Sequence, residues 1–524
     1  MSEKSEKQLQ EKINGTIWSA CDTLRSSIPG GNYKDYALTM LFVKYLSDTY
    51  KSEKTKAKEI YKGHSKEIDE QMINRYLERL NFKLNEECTF DYLYDHRNDD
   101  NIGELINKAL ETISRLNGTK LLNLFAGVDF NSEPIFGKKK EKNAILRTLL
   151  SDFNNPDLDL RPEKIGKLDI IGNAYEYLIA RFAGDSGKKG GEFYTPAEVS
   201  ILLAKLTQPR INDRIYDPAC GSGSLLLRAA NEVDNKKVSV YGQESNSSTF
   251  NLCRMNMFLH GVDDAHIAWG DTLANPLHLE NDDLMKFDVI VSNPPFSLDK
   301  WAKGFESENT TIVKNGKKLD TFKMEASMDR FGRFGYGVPP KSIGDYAFIQ
   351  HMLKSLADDG RMAVVLPHGA LFRGASEGLI RKGIIEDNLI DAVIGLPENL
   401  FYGVSIPATI VVFKKNRNRN DVIFIEASRE YEKGKNQNTL TNDNIEKILN
   451  TYKEYKEIEK YSHIAKLDEI KENEYNLNIK RYVDTYEPEP EVDIKETKRK
   501  IEETNKELAI LEKQLQDTLK ELGL

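Results

Sequence analysis

Cysteine is scarce in this chain: Cys21, Cys88, Cys220 and Cys253 are the four in 524 residues, and none has CxxC spacing. That scatter excludes a disulfide scaffold and a thiolate metal cluster, so reduced thiols are expected. The eight histidines form no HExxH or comparable group, and no structural metal is expected. No run of about 18 apolar residues is present to cross a bilayer, and the opening MSEKSEKQLQEK lacks the apolar segment that export requires. A cytoplasmic protein with no membrane partner is therefore expected. Positive charge is not in excess either: 74 Lys and Arg against 83 Asp and Glu leave a net charge of −9. This argues against a chain that coats nucleic acid over its whole surface, while leaving room for a local basic cleft and a partner that supplies part of the phosphate-binding charge.

Phosphate-binding loops are also missing. GDSGKKGG fails the pattern G-x-x-x-x-G-K-[ST], because Phe182 stands at the first glycine and Lys189 at the hydroxyl position. GSGSLL fails G-x-G-x-x-G, because Leu226 occupies the last glycine position. An ATPase and a nicotinamide dinucleotide enzyme are both disfavoured.

What is present is an ordinary soluble composition, 39% hydrophobic and 30% charged, in a chain long enough for two or three domains. Residues 1–160 read as an all-α domain. YALTMLFVKYLSDTY, Tyr36 to Tyr50, has helical spacing after the breaker Pro29-Gly30-Gly31, and the stretch from Ser52 to Asn85 is charged and amphipathic. From there to residue 485, short β-branched runs alternate with helical stretches: RIYDPACGSG, KVSVYGQES, FDVIVSNPPF, RMAVVLPHG, LIDAVIGLPENL, ATIVVFKK and VIFIEAS. This pattern predicts an α/β fold with a mostly parallel sheet covered on both faces, whose ligands sit at the carboxyl ends of the strands. The long Gly-, Lys- and Glu-rich stretch from Ser297 to Pro340 follows directly, and a connection of that length is usually functional or mobile. After EPEPE, residues 486–524 carry Ile494, Ile501, Leu508, Leu515 and Leu522 at sevenfold spacing, widened by Leu511 and Leu519. A terminal helix with an apolar seam is expected, folded back on its own chain or docked on another subunit.

Four strand ends carry the chemistry. Asp217-Pro218-Ala219-Cys220-Gly221-Ser222-Gly223-Ser224 leaves the first strand and opens the helix LLLRAA, where glycines let a ligand approach the backbone. Glu244 ends the second strand, placed to accept from ribose hydroxyls, and Asp271 ends the third, placed either for an adenine amino group or as a helix cap. At Asn293-Pro294-Pro295-Phe296, two acceptors, the Asn293 side chain and the Pro294 carbonyl, grip the hydrogens of an exocyclic amine and pull its nitrogen towards a nucleophilic, tetrahedral form. The prolines fix φ and leave no competing N–H, and Phe296 offers a face for a base to stack on. Cys220, inside the turn, is expected to be a small packing residue, since no covalent intermediate is needed.

The order GEFYTP, DPACGSGS, GQE, GDTL and NPPF resembles the amino-methyltransferases of the γ arrangement, in particular the modification (M) subunit of type I DNA restriction-modification systems. The later stretches GDYAFIQHML, GRMAVVLPHGALFR and LPENLFYGVSIPATIVVF extend the likeness over nearly the whole chain. The resemblance implies an S-adenosylmethionine-dependent (Rossmann-like) methyltransferase sheet and N6-methyladenine as product. Glu192, Phe193, Tyr194, Thr195, Pro196 and Ala197, with Asp217 and Gly221 to Ser224, would surround the methionine part of S-adenosyl-L-methionine. Glu244 would bind its ribose and Asp271 its adenine, while Asn293, Pro294, Pro295 and Phe296 would hold the flipped base. The implied partners are double-stranded DNA, a specificity (S) subunit, a restriction (R) subunit, and a second copy of the chain in an M2S assembly. N4-cytosine methylation, RNA or protein glutamine methylation, and a non-catalytic DNA-clamping scaffold are the rival readings.

Overall fold

The computed structural model describes residues 3–28, 33–166, 169–185, 194–305, 311–314, 317–320, 323–403, 405–435, 437–485 and 494–521. It divides into two compact units, Met1–Val483 and Asp484–Leu524.

In the first unit, helices lead up to the sheet. Tyr33–Ile60 is one helix of 28 residues, and every residue from Tyr36 to Asp48 is buried. A helix apolar all round belongs inside a bundle, which explains the unbroken run in the sequence. The two charges within the buried stretch Tyr36 to Asp48 satisfy each other: Lys44 Nζ lies 2.6 Å from both Asp48 oxygens, and Asp48 also accepts the Leu160 N–H at 2.9 Å. The helical layer shares its core with the sheet region, since a single apolar cluster runs from Ile13 through Tyr175 to Leu259, with the Phe42 and Phe258 rings 5.4 Å apart.

The central sheet has nine strands. They are β1 (Arg214–Asp217), β2 (Ser239–Glu244), β3 (His266–Trp269), β4 (Phe287–Ser292), β5 (Leu356–Pro367), β6 (Ile390–Gly395), β7 (Ala408–Lys414), β8 (Val422–Glu426) and β9 (Ser462–Ala465). Their spatial order is β9-β8-β6-β7-β5-β4-β1-β2-β3. Every apolar run quoted above forms a strand. The short β9, only half apolar, is an addition that the pattern does not announce. Neighbouring strands are parallel except β7, antiparallel to β5 and β6, and β9, antiparallel to β8. The central strands are buried on both faces, as the continuous β-branched runs require. The order reverses between β1 and β4, which run parallel with Ile215 opposite Val289 and Tyr216 opposite Ile290. Such a reversal opens a crevice at the carboxyl ends, and DPACGSG and NPPF leave the sheet on its two sides.

The long connection after β4 is partly built. Thr311–Lys314 pairs antiparallel with Lys317–Asp320, and Trp301 and Phe334 pack with ring centroids 5.3 Å apart. Arg333, whose side chain is 1% exposed like that of its partner Asp329 at 2.8 Å, stitches this connection to the loop after β3 by donating to the carbonyls of Thr272 (3.2 Å) and Leu273 (2.6 Å). In the second unit, Ile494–Glu521 is a helix on which Ile501, Leu508, Leu511 and Leu515 are each more than half exposed. Leu522 and EPEPE lie outside the described residues.

Removing one partner of a buried ion pair leaves the other uncompensated, at a cost of about 3 to 5 kcal/mol. Arg333→Ala is therefore expected to lower the thermal unfolding midpoint sharply. Lys62→Ala, at an exposed ion pair with Glu59, serves as the control and should leave it nearly unchanged. Differential scanning calorimetry checks both.

Candidate functional site

The turn after β1 is built on two left-handed glycines, Gly221 at φ +54° and Gly223 at φ +81°. A β-carbon on Gly223 would meet Met257 Cε at 2.5 Å and Cys253 Sγ at 2.8 Å, so both conformation and space demand glycine. Beside this turn lies a cleft of about 270 Å³, into which Tyr194, Thr195, Asp217, Gly221, Ser222, Ser224 and Asn293 all face. Ala219, Cys220 and Leu225, which sequence reasoning did not assign to the site, complete its wall.

Asp217 is 1% exposed, and its Oδ1 accepts from the Ala219 N–H at 3.0 Å and from Ser292 Oγ at 2.7 Å. Burial pushes its carboxyl up to about 7, opposed by those two hydrogen bonds and reinforced by Glu244. Glu244 does not reach the cleft wall. Its Oε2 accepts the Gly221 N–H at 3.0 Å and its Oε1 the Asn246 N–H at 2.7 Å, so the carboxylate braces the glycine turn. Burial raises its pKa as well, against the pull of those backbone donors. Asp271 is exposed, and its Oδ1 accepts from the N–H groups of Leu273 (2.9 Å) and Ala274 (3.2 Å), closing a local turn; no helix follows it, so the helix-cap alternative is not met. Pro196 and Ala197 open the helix Ala197–Thr207. Glu192 and Phe193 lie outside the described residues.

At the end of β4, Asn293 Nδ2 donates to Thr195 Oγ1 at 3.1 Å, while Asn293 Oδ1 is buried without a hydrogen-bond partner. A buried carbonyl oxygen left unmatched costs about 1 to 3 kcal/mol, which a donor on a ligand recovers. Pro294 is buried, and Pro295 and Phe296 are half-buried. Two aromatics from LPENLFYGVSIP, quoted above without a role, surround this corner: Phe401 stands edge-on to Phe296 with centroids 6.0 Å apart, and Tyr402 lies 6.0 Å from Tyr194. The only sequence signal for them was an aromatic pair after a strand end. Cys220 is buried with its Sγ 3.9 Å from Cys253 Sγ, a contact that raises its thiol pKa far above the usual range, consistent with packing rather than nucleophilic chemistry.

A parallel sheet reversing at β1/β4, a glycine turn over a buried acid, and an acceptor-bearing diproline corner define a methyltransferase that uses S-adenosylmethionine on amino nitrogens. The cleft fits that cofactor, because the buried Asp217 carboxyl that lines it suits a cationic ligand and the glycines expose backbone to it; when bound, it supplies an electrophilic methyl group. Comparison with known proteins narrows the class. A family described as N-6 DNA methylase matches residues 166–491, and one described as the HsdM N-terminal domain matches residues 13–153. The chain belongs to the N-6 DNA methylase family, with the methylase subunits of type I restriction enzymes. It is 32% identical to such a subunit from Mycoplasma pneumoniae, over 99% of this chain and 98% of that one. It is 34% identical to one from Methanocaldococcus jannaschii, over 96% and 83% respectively. The crystal structure of a type I methyltransferase subunit from Streptococcus thermophilus superposes with a TM-score of 0.78 at 37% identity, covering 91% of this chain and all (100%) of that one.

Because burial favours the neutral carboxyl, Asp217 loses its proton as pH rises through about 7, and the carboxylate formed favours a cation. Affinity for S-adenosylmethionine is expected to rise between about pH 6 and 8 and to release a proton on binding below about 7. Isothermal titration calorimetry in buffers of different ionisation enthalpy checks this, with Asp217→Asn expected to remove that share of the dependence.

Proposed function

We propose that this chain transfers a methyl group from S-adenosylmethionine to the N6 nitrogen of an adenine rotated out of double-stranded DNA, within a target chosen by a separate specificity subunit. The observation that carries the reading is the orphaned, buried Asn293 Oδ1 beside the cleft. Asn293 Oδ1 and the Pro294 carbonyl accept the two amine hydrogens, Pro295 stiffens the corner, and Phe296 stacks on the base. Thr195 holds the Asn293 amide so that its oxygen faces the substrate. Asp217, Gly221, Ser222, Gly223 and Ser224 cradle the methionine part of the cofactor with residues 192–197, Glu244 serves its ribose through the turn it braces, and Asp271 its adenine. Catalysis comes from positioning and from acceptors fixed before the base arrives. Membership of the N-6 DNA methylase family favours adenine over cytosine N4, RNA or glutamine, and intact acceptors favour an enzyme over a clamping scaffold.

In this reading residues 1–160 form the helical domain, 161–485 the methyltransferase domain, and 486–524 a docking helix whose apolar seam meets another subunit. A second copy of the chain and one specificity subunit make the modification assembly, which a restriction subunit joins, all in the cytoplasm. The net charge of −9 is consistent with leaving sequence reading to a partner.

With the specificity subunit co-expressed, tritiated S-adenosylmethionine and nucleoside chromatography should identify N6-methyladenine, and N4-methylcytosine would refute the assignment. Asn293→Ala is expected to lower transfer by about 100- to 1000-fold, the scale for loss of one preorganised hydrogen-bonding group, while cofactor binding survives. Thr195→Val frees the Asn293 amide from one hydrogen bond, and a loss of about tenfold in single-turnover rate is expected.

A further inference from the structure

The diproline corner needs support at its far end. Ser297, next after Phe296, sits at φ +51°, a left-handed conformation that costs a residue with a β-carbon about 1 kcal/mol or more. Its N–H donates to Asp345 Oδ1 at 2.7 Å. Asp345 opens the helix Asp345–Ser355 and is 2% exposed. Its Oδ2 accepts from the Arg373 guanidinium, which also meets the buried Glu377, Nε to Oε2 at 2.6 Å and Nη2 to Oε1 at 3.1 Å. An acid–arginine–acid chain thus links the corner after β4 to the loop after β5. Gly369 makes room for it, since a β-carbon there would lie 2.2 Å from Arg373 Nη1, while Gly344 lets the helix start approach the loop after the corner, a β-carbon there lying 3.0 Å from the Trp301 β-carbon. GDYAFIQHML and LPHGALFR, which the cofactor cleft does not use, therefore converge behind the corner.

We propose that Asp345 and Arg373 are positioning residues for methyl transfer: by fixing the Ser297 backbone they set the direction of the Pro294 carbonyl and of the Phe296 ring, with Glu377 anchoring the guanidinium. The proposal rests on the reading of NPPF given above. Both acids of this chain are buried and Arg373 is partly so; such an ion chain stabilises a fold little better than apolar packing of equal volume, so stability alone does not account for its place here. Charge-assisted hydrogen bonds are short and directional, which is what a rigid corner needs.

The test uses the full chain assembled with its specificity subunit. Hydrogen exchange over residues 293–300, which is independent of activity, should find the Ser297 amide protected in the wild type and in Asp345→Asn, which keeps an acceptor, and unprotected in Asp345→Ala. Single-turnover methyl transfer should fall about 100-fold in Asp345→Ala, the scale of a 1 Å misplacement. Asp345→Asn should stay within about tenfold of wild type, and Gly369→Ala, which keeps every charge but displaces the guanidinium, should lose about tenfold. Cofactor affinity, and the emission of 2-aminopurine placed at the target position, should stay within about twofold of wild type. An unchanged rate in Asp345→Ala, equal losses for Ala and Asn, or a loss matched by weakened cofactor binding would overturn the brace. Should Asp345→Ala fail to fold, Gly369→Ala decides by the same rate and exchange measurements. A wild type that leaves adenine unmethylated while the exchange pattern holds counts against the functional reading and not against the brace.

Discussion

One buried oxygen registers the two halves of the site. Asp217 Oδ1 accepts from Ala219 N–H in the glycine turn and from Ser292 Oγ in the strand that ends at the diproline corner. These elements leave adjacent parallel strands where the sheet order reverses, so their loops diverge beyond the last ladder pair, Tyr216 opposite Ile290. The side-chain bond ties them at 2.7 Å, between two residues that are each almost wholly buried. In water such a bond would contribute little; in a dry interior an unmatched partner would cost more than the bond is worth, so the registry is strongly enforced.

The same burial that makes the bond specific also sets the charge state of the cleft. Asp217 and Glu244 are held in surroundings that favour their neutral forms, and the backbone donors of the turn pull the other way. The balance leaves a site that gains from a cation. Around it the support is layered. Glu244 holds the turn, Thr195 holds the Asn293 amide, Arg333 ties the connection after β4 to the loop after β3, and the proposed Asp345–Arg373 brace stands behind the corner. Each supporting group is buried or partly buried and comes from a different segment. Rigid acceptors require this, because a side chain held only by its own loop would keep too much freedom.

Much of this was legible in the chain. The seven quoted β-branched runs are strands because a strand buried on both faces cannot tolerate polar residues, and that constraint is written locally. DPACGSG and NPPF were readable for the same reason: left-handed glycines and φ-locked prolines act within a few residues of themselves. The partners of those motifs were not readable. Glu244 was assigned to a ribose, and its hydrogen bond to Gly221 N–H was not foreseen. Thr195 entered only through the family's cofactor motif, yet it contacts Asn293, 98 positions away. Phe401, Tyr402 and Arg373 were printed in recognised stretches with no role attached.

By itself, the sequence determined most element types and the chemistry available at four strand ends, because propensity, glycine, proline and short motif spacing are properties of neighbours along the chain. Only the tertiary structure decided which ends meet. The order of β1 beside β4, the insertion of antiparallel β7 between β5 and β6, and the joining of Thr195, Asp217, Asn293 and Asp345 around one crevice all depend on how strands far apart in the chain pair. That pairing minimises exposed apolar surface and unmatched polar groups over the whole sheet at once, and no local stretch encodes such a sum.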